Sequence, residues 1–480
     1  MRARRLYTLA LLFACGQSTA MGDRGERVVA PAHPTVSSES APTEAAAPMD
    51  AGAATTKAGA LDNVGALARF FDALAKLDDG AAQEDVRVLQ FGDSHTAADL
   101  ETGTARHVLQ ARFGDGGRGF VAIGRPWRTY LQDGLHAPGM TREWSPEHGK
   151  LDHGRFVGDG CYGLGGVCLV TARRDARAWS EIESPASRIE VDYFEQPSGG
   201  SFDLIVDGHD LATVKTQAKA AESAFKSVDV PDGPHKIEVR ARGDGEVRLF
   251  GVSLDRAKVG LVLDALGING ARASTTLQWN ESHMAEQIRH MVPQLVVLAY
   301  GTNESADEEP LDRIERQLVD ALGRIARAAP AASCMLLGPP DRAIPDPSAG
   351  PSRDGGVVWV TSPRIQEIIE VERRVAGAAG CAFYDQLAAM GGPGTVAAWA
   401  ELDPPRARRD RTHLAREGYA LLGNAFASDL LTAYASWRAE KGLTPKAPPP
   451  APTQPPPLPT PDEPLPNAGA GSAPFVAIPL

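Results

Sequence analysis

Val88-Leu89-Gln90-Phe91-Gly92-Asp93-Ser94-His95 is the segment on which the fold turns. The apolar run from Val86 to Phe91 follows a helical stretch, ends at Gly92-Asp93-Ser94, and precedes a segment that can be helical. Strand, tight turn and helix in that order put Ser94 at the C-terminal edge of a sheet. Its hydroxyl is then exposed, and the following helix aims unpaired N–H groups at whatever binds there. Such a serine suits acyl transfer. It is equally a common helix cap, and only the rest of the chain separates the two readings.

Further along, Val259 to Leu266, Leu295 to Tyr300, Cys334 to Leu337 and Ala382 to Tyr384 read as buried parallel strands. Leu311 to Ala328, Arg364 to Ala378 and Leu414 to Tyr434 keep helical spacing between and after them. Strands alternating with helices predict an α/β domain with a doubly wound, flavodoxin-like parallel sheet. From about Asp115 to Arg256 that rhythm stops. Arg188 to Phe194, Ser201 to Val206 and Phe225 to Val230 read as strands, and His235 to Arg242 and Glu246 to Leu254 read as a hairpin closed by Gly243-Asp244-Gly245. The region is expected to be a β-sandwich inserted into the α/β domain after its first strand and helix.

The chain has 480 residues, 43% of them apolar and 23% charged, which leaves room for two folded domains. Lysine and arginine total 49 against 61 acids, and the net charge of −12 argues against nucleic acid as a partner. The basic start Met1 to Arg5 and the apolar run Leu6 to Ala14 have the pattern of an export signal, too short to span a bilayer. Leu12-Phe13-Ala14-Cys15 is similar to a bacterial lipobox, which makes Cys15 a candidate lipid anchor; cleavage after Ala20 is the alternative. Arg27 to Leu61 and Leu443 to Leu480, rich in alanine and proline, read as a tether and a disordered tail. Four cysteines remain beyond Cys15. Cys161 with Cys168 and Cys334 with Cys381 are candidate pairs for an oxidising compartment, buried free thiols being the alternative, and neither pair has the look of a metal site.

Three more motifs fall at strand ends: Gly267-Ile268-Asn269-Gly270-Ala271, Gly301-Thr302-Asn303-Glu304 and Asp410-Arg411-Thr412-His413. With Gly-Asp-Ser, and in this order, they resemble the blocks of the SGNH (GDSL-type) hydrolase superfamily. The resemblance implies Ser94 as nucleophile, His413 as base and Asp410 as its orienting acid. It also implies an oxyanion hole of the Ser94 N–H, the Gly270 N–H and the Asn303 side-chain amide, with no cofactor and no metal. Asp-x-x-His recurs at Asp133/His136 and Asp232/His235, and Gly-x-Asn at Gly267/Asn269, but only the chosen copies stand in the right order. Gly267 is a lesser candidate for the Gly270 role, His95 is read as a packing residue, and Asp93 as the bond that holds the turn.

Gly-Asp-Ser-His, together with the run Phe383 to Gly392 and Trp399, is similar to bacterial peptidoglycan O-acetylesterases that carry a carbohydrate-binding-like insertion. Leu414-Ala415 departs from that group, in which an aromatic and a threonine are frequent; Trp399 is either core or sugar platform. The expected organisation is a signal over residues 1–20, a tether over 21–61, the hydrolase domain over 62–114 and 257–440, the insertion over 115–256 and the tail over 441–480. The expected function is that of an exported bacterial serine esterase of the cell envelope, in the periplasm or as an outer-membrane lipoprotein. Its substrate would be a short-acyl, O-acetylated polysaccharide. An O-acetyltransferase and a non-catalytic glycan-binding lipoprotein are the alternatives.

Overall fold

Short apolar runs bounded by glycines become the strands of a six-stranded sheet in the computed structural model, which describes residues 59–130, 132–150, 158–348 and 356–444. The signal-like start, Cys15, the tether before residue 59 and the tail from residue 445 lie outside these residues. The strands are β1 (Leu61–Asp62), β2 (Val86–Gly92), β3 (Leu261–Gly267), β4 (Leu295–Ala299), β5 (Ser333–Gly338) and β6 (Ala382–Asp385). Their order in space is β1-β6-β5-β4-β2-β3; β1 is antiparallel and the other five are parallel. The helices are α1 (Ala68–Asp78), α2 (Ser94–Ala97), α3 (Glu101–Phe113), α4 (Glu281–Met291), α5 (Leu311–Ala328), α6 (Pro363–Ala379), α7 (Gln386–Met390), α8 (Thr395–Ala400) and α9 (Arg416–Glu440).

Alternation along each strand sorts the core into two layers. Leu89, Phe91, Leu298 and Leu336 face α4, α5 and α6, whereas Val88, Leu263, Val297 and Leu337 face α1, α3 and α9. This is the doubly wound arrangement. Strand order reverses between β2 and β4, and a crevice at the C-terminal ends of those two strands is where such sheets bind ligands. Leu61 is a correction: composition put it in the tether, yet it is fully buried and pairs with Tyr384 at the sheet edge. A two-residue strand is too short to leave a periodic signal.

Between α3 and β3 the chain builds a nine-stranded antiparallel sheet that folds over on itself. Its two longest strands, Arg177–Glu195 and Glu222–Ala241, pair along their lengths with breaks in register between Asp229 and His235. One half of Arg177–Glu195 pairs with Val247–Asp255 and the other half with Leu135–Met140, so the long strands pass from one layer to the other and share one core. The short runs Arg188 to Phe194, Phe225 to Val230 and His235 to Arg242 are thus parts of two strands. Gly243-Asp244-Gly245 closes no hairpin, because the strands it joins lie on opposite sides of Arg177–Glu195. The Asp244 carboxylate accepts from Ser201 N–H (2.7 Å) and Ser201 hydroxyl (2.6 Å), which carries the connection across the end of the sheet.

Buried ion pairs join this sheet to the α/β unit. Arg87 at the start of β2 donates to both Asp264 oxygens (3.1 and 3.0 Å) and to Asp255 (2.7 Å), and Asp264 also accepts from Phe120 N–H (2.6 Å). Asp99, fully buried, accepts from Arg106 of α3 (2.8 Å) and from Arg118 of the inserted sheet (2.6 Å). Removing one partner of such a network leaves a charge without compensation, at a typical cost of about 3–5 kcal/mol.

Cys334 of β5 and Cys381, just ahead of β6, form a disulfide. Cys161 and Cys168 do not pair; both are free and buried. Arg248 takes the place of a bridge there, donating to Cys168 Sγ (3.5 Å), Cys161 C=O (3.1 Å) and Asp159 (2.6 Å). Alkylation of the unfolded, unreduced protein is expected to label Cys161 and Cys168 and spare Cys334 and Cys381. Peptide mapping that finds Cys334 or Cys381 labelled contradicts the pairing.

Candidate active site

The turn after β2 presents Ser94 as the first residue of α2, with Asp93 as its cap, the Asp93 carboxylate accepting from His95 N–H (2.9 Å). Ser94 Oγ lies 2.9 Å from His413 Nε2. His413 Nδ1 lies 2.8 Å from Asp410 Oδ2, and the other Asp410 oxygen accepts from the backbone N–H of His413 (2.9 Å) and of Thr412 (3.0 Å). Burial pushes the Asp410 carboxyl up, but these three donors outweigh it and hold the group well below the usual carboxylate range. Asp410 and His413 come from the loop before α9, whose packing on α3 and the sheet brings the loop over Ser94.

Gly270 and Asn303 converge on the same turn from β3 and β4. Asn303 Nδ2 donates to Ala271 C=O (2.9 Å) and, at a longer 3.4 Å, to Asp93, so its amide spans from the residue after Gly270 to the residue before Ser94. Gly270 has φ +77°, in the left-handed region that favours glycine, and a Cβ there would meet only Lys150 Nζ, at 3.9 Å. Gly267 serves differently: a Cβ there would lie 2.1 Å from Ala97 N, so the bare backbone lets β3 approach the helix that carries Ser94. Asn269 offers its carbonyl to Lys150 Nζ (2.7 Å).

The rival histidine pairs lie elsewhere. His136 faces Glu183 (2.8 Å), Asp232 is bound by Arg256, and His235 sits buried at the bend of Glu222–Ala241, bonded to Asp207 (2.7 Å), not at a hairpin turn. Trp399 is 2% exposed and packs with Met390, Val396 and Leu414, which places it in the core. His95 stacks on His413, with ring centroids 5.5 Å apart, and its Nδ1 lies 3.0 Å from Tyr419 hydroxyl. Burial pushes the His95 ring down to about 3, so it stays neutral beneath the second histidine.

Sequence reasoning read Asp93 as the bond that holds the turn but gave Glu101, Glu304 and Glu372 no role. Glu304 accepts from Gly301 N–H (3.0 Å) and Ala273 N–H (2.8 Å), tying the Asn303 loop to the Gly270 loop. Burial pushes Glu304 up to about 7, Asp93 to about 6 and Glu101 to about 8, and raises Glu372 well above its ordinary value. A cavity of about 10 Å³ lined by Asp93, His95, Glu101, Thr302 and Gln386 is about the size of one water, and among the described residues buried His95 Nε2 has no hydrogen-bond partner. Glu304 stands next to a motif residue and so had a signal; Glu101 and Glu372, on helices, had none.

Residues 235–421 match the model of the GDSL-like Lipase/Acylhydrolase family, and this similarity supports an esterase of the GDSL/SGNH hydrolase type. The match covers Gly270, Asn303, Asp410 and His413 and begins beyond Ser94, which the inserted sheet separates from them. Among solved structures, one described as "Peptidoglycan O-acetylesterase in action, 5 min" aligns with TM-score 0.64 and 23% identity over 79% of this chain and 100% of its own; the fold is shared. A salicylyl-acyltransferase, SsfX3, aligns with TM-score 0.26 and 15% identity over 68% of this chain and 98% of its own. A family two carbohydrate esterase from Clostridium thermocellum aligns with TM-score 0.24 and 13% identity over 57% and 95%. No curated protein matches the chain.

The raised carboxyl of Glu101 has a definite consequence for stability. Between its ordinary value of 4.5 and its folded value of about 8, the folded chain holds a proton that the unfolded chain has released. Stability therefore falls as pH rises through that window. Glu101→Gln keeps an acceptor for Gln386 and removes the proton uptake, so its melting temperature should rise relative to wild type between pH 5 and pH 8.5. A difference independent of pH would contradict protonation of Glu101 on folding.

Proposed function

We propose that the protein is an exported serine esterase that removes O-acetyl groups from a cell-wall polysaccharide such as peptidoglycan. The observation that carries this reading is the unbroken relay Ser94 Oγ, His413 Nε2, His413 Nδ1 and Asp410 Oδ2, with links of 2.9 and 2.8 Å. Asp410, ionised across the working range, accepts from Nδ1–H and so leaves Nε2 as the acceptor for the serine proton. Ser94 attacks the ester carbonyl as His413 takes that proton, and the imidazolium returns it to the departing sugar hydroxyl. Water then enters, is deprotonated by His413, and releases acetate and free Ser94.

The oxyanion of each tetrahedral step would be held by Ser94 N–H, Gly270 N–H and Asn303 Nδ2–H. Among the described residues no acceptor faces either backbone N–H, and the long Asn303 contact to Asp93 is the one that yields to the oxyanion. A short acyl group and a bulky polar alcohol fit the surroundings. His413 and Asp410 side chains are 30% and 38% exposed, so the relay opens to solvent and admits a polymer. An apolar groove of about 510 Å³ lies between α5 and α6 and includes none of the site residues, while the cavity beside the Ser94 turn, about 10 Å³, is too small for an acyl chain. The intact relay supports an enzyme over a glycan-binding scaffold. Export and envelope location rest on the signal-like start, and attachment at Cys15 on its lipobox pattern.

Ser94→Ala or His413→Ala should abolish turnover of a chromogenic acetate ester, and Asn303→Ala should lower kcat about a hundredfold or more. Retained turnover in either triad variant removes the mechanism. At equal leaving group, acetate should be cleaved faster than octanoate. Acetate release from O-acetylated peptidoglycan and from acetylated xylan, each compared with Ser94→Ala, measures the substrate directly.

A further inference from the structure

Resting on the reading of the site as a glycan esterase, we propose that Lys150 of the inserted domain forms a carboxylate-binding subsite beside the ester and selects acetylated glycans that carry negative charge. Gly149 fixes the approach from both sides: its N–H donates to Gly166 C=O (2.8 Å) and its carbonyl accepts from Trp279 Nε1 (2.6 Å). Lys150 is thereby delivered to the loop after β3. Its ammonium donates to Asn269 C=O (2.7 Å) and stands 3.9 Å from where a Cβ on Gly270 would lie. An ammonium has three donors, and the Asn269 bond uses one of them.

Among the described residues, no acid faces Lys150. Arg272, on the same loop, is neutralised by Asp307, and Arg411, beside the triad acid, by Glu401. Lys150 forms no ion pair among the described residues. Across the site, Arg408 and Arg409 are exposed on the loop that holds Asp410, and they too form no ion pair among the described residues; Arg408 N–H donates to His413 C=O (2.8 Å). Cations without an ion pair among the described residues thus stand beside the Gly270 loop and on the Asp410 loop, in a chain whose net charge is −12. A neutral ester gains nothing from them. A sugar carboxylate one ring from the acetyl group would replace water on the two remaining Lys150 donors and draw Coulombic attraction from the rim.

Full-length wild type, Lys150→Met and Lys150→Arg are assayed on soluble O-acetylated peptidoglycan fragments, on acetylated xylo-oligosaccharides lacking acidic branches, and on a chromogenic acetate ester. Lys150→Met should raise KM for the peptidoglycan fragments about fivefold with kcat within about twofold, and Lys150→Arg should restore most of the loss. Both neutral substrates should be unaffected. Raising salt from about 0.05 to about 0.3 M should raise the wild-type KM for the charged fragments and leave that of Lys150→Met nearly constant. Equal losses on all three substrates would make Lys150 a prop of the Gly270 loop and overturn the proposal, as would an unchanged KM on the charged fragments. Wild type that cleaves the chromogenic ester but neither glycan overturns the glycan reading, and this inference with it.

Discussion

The hydrogen bond between Ser94 Oγ and His413 Nε2 joins residues 319 positions apart, and most of the architecture exists to make it. β2 must end in mid-sheet for the serine to stand at the crevice between β2 and β4. The inserted sheet must fold to one side without displacing that strand, and α9 must dock so that the loop before it hangs over the turn. Each of these is a packing requirement met well away from the bond itself. Phe426, Leu430 and Tyr434 seat α9 on the core, and Arg87 and Asp99 bind the insertion to β3 and α3. A small error in any of them would be felt as a misplaced imidazole.

Behind the serine the protein accepts a cost. Burial raises the proton affinity of Asp93, Glu101, Glu304 and Glu372, and the charge of Asp93 raises it further at the three glutamates. Apolar residues would stabilise this layer more simply. The carboxyls instead tie backbone N–H groups of separate loops together: Asp93 fixes His95, and Glu304 fixes Gly301 and Ala273. With the Asn303 amide, they link the turn that carries Ser94 to the loops that carry Gly270 and Asn303. Stability is traded for position at the site, a recurring use of buried polar groups.

The insertion is part of the same body. Phe120, Tyr162, Phe194 and Phe250 share a core with α4, and Trp279 reaches back to Gly149. Through Gly149 the inserted sheet presents Lys150 to the Gly270 loop, where its ammonium donates to Asn269 C=O.

Sequence alone determined the parallel strands, the long helices and the residues of the relay, because each leaves a local signature. A buried strand is a short apolar run, a docked helix keeps a 3.6-residue period, and the residues of the relay sit in short motifs. The tertiary structure decided what depends on partners distant in sequence. It merged predicted short strands into two long bent ones, since bulges are set by the layers they join. It sent Gly243-Asp244-Gly245 across the sheet through Ser201, and it filled the space between Cys161 and Cys168 with Arg248. It buried Trp399, drew Leu61 into the sheet, and placed Glu101, Glu372 and Lys150 beside groups that no spacing connects to them. A motif records which side chains are present; the distances between motifs are fixed only when the core closes.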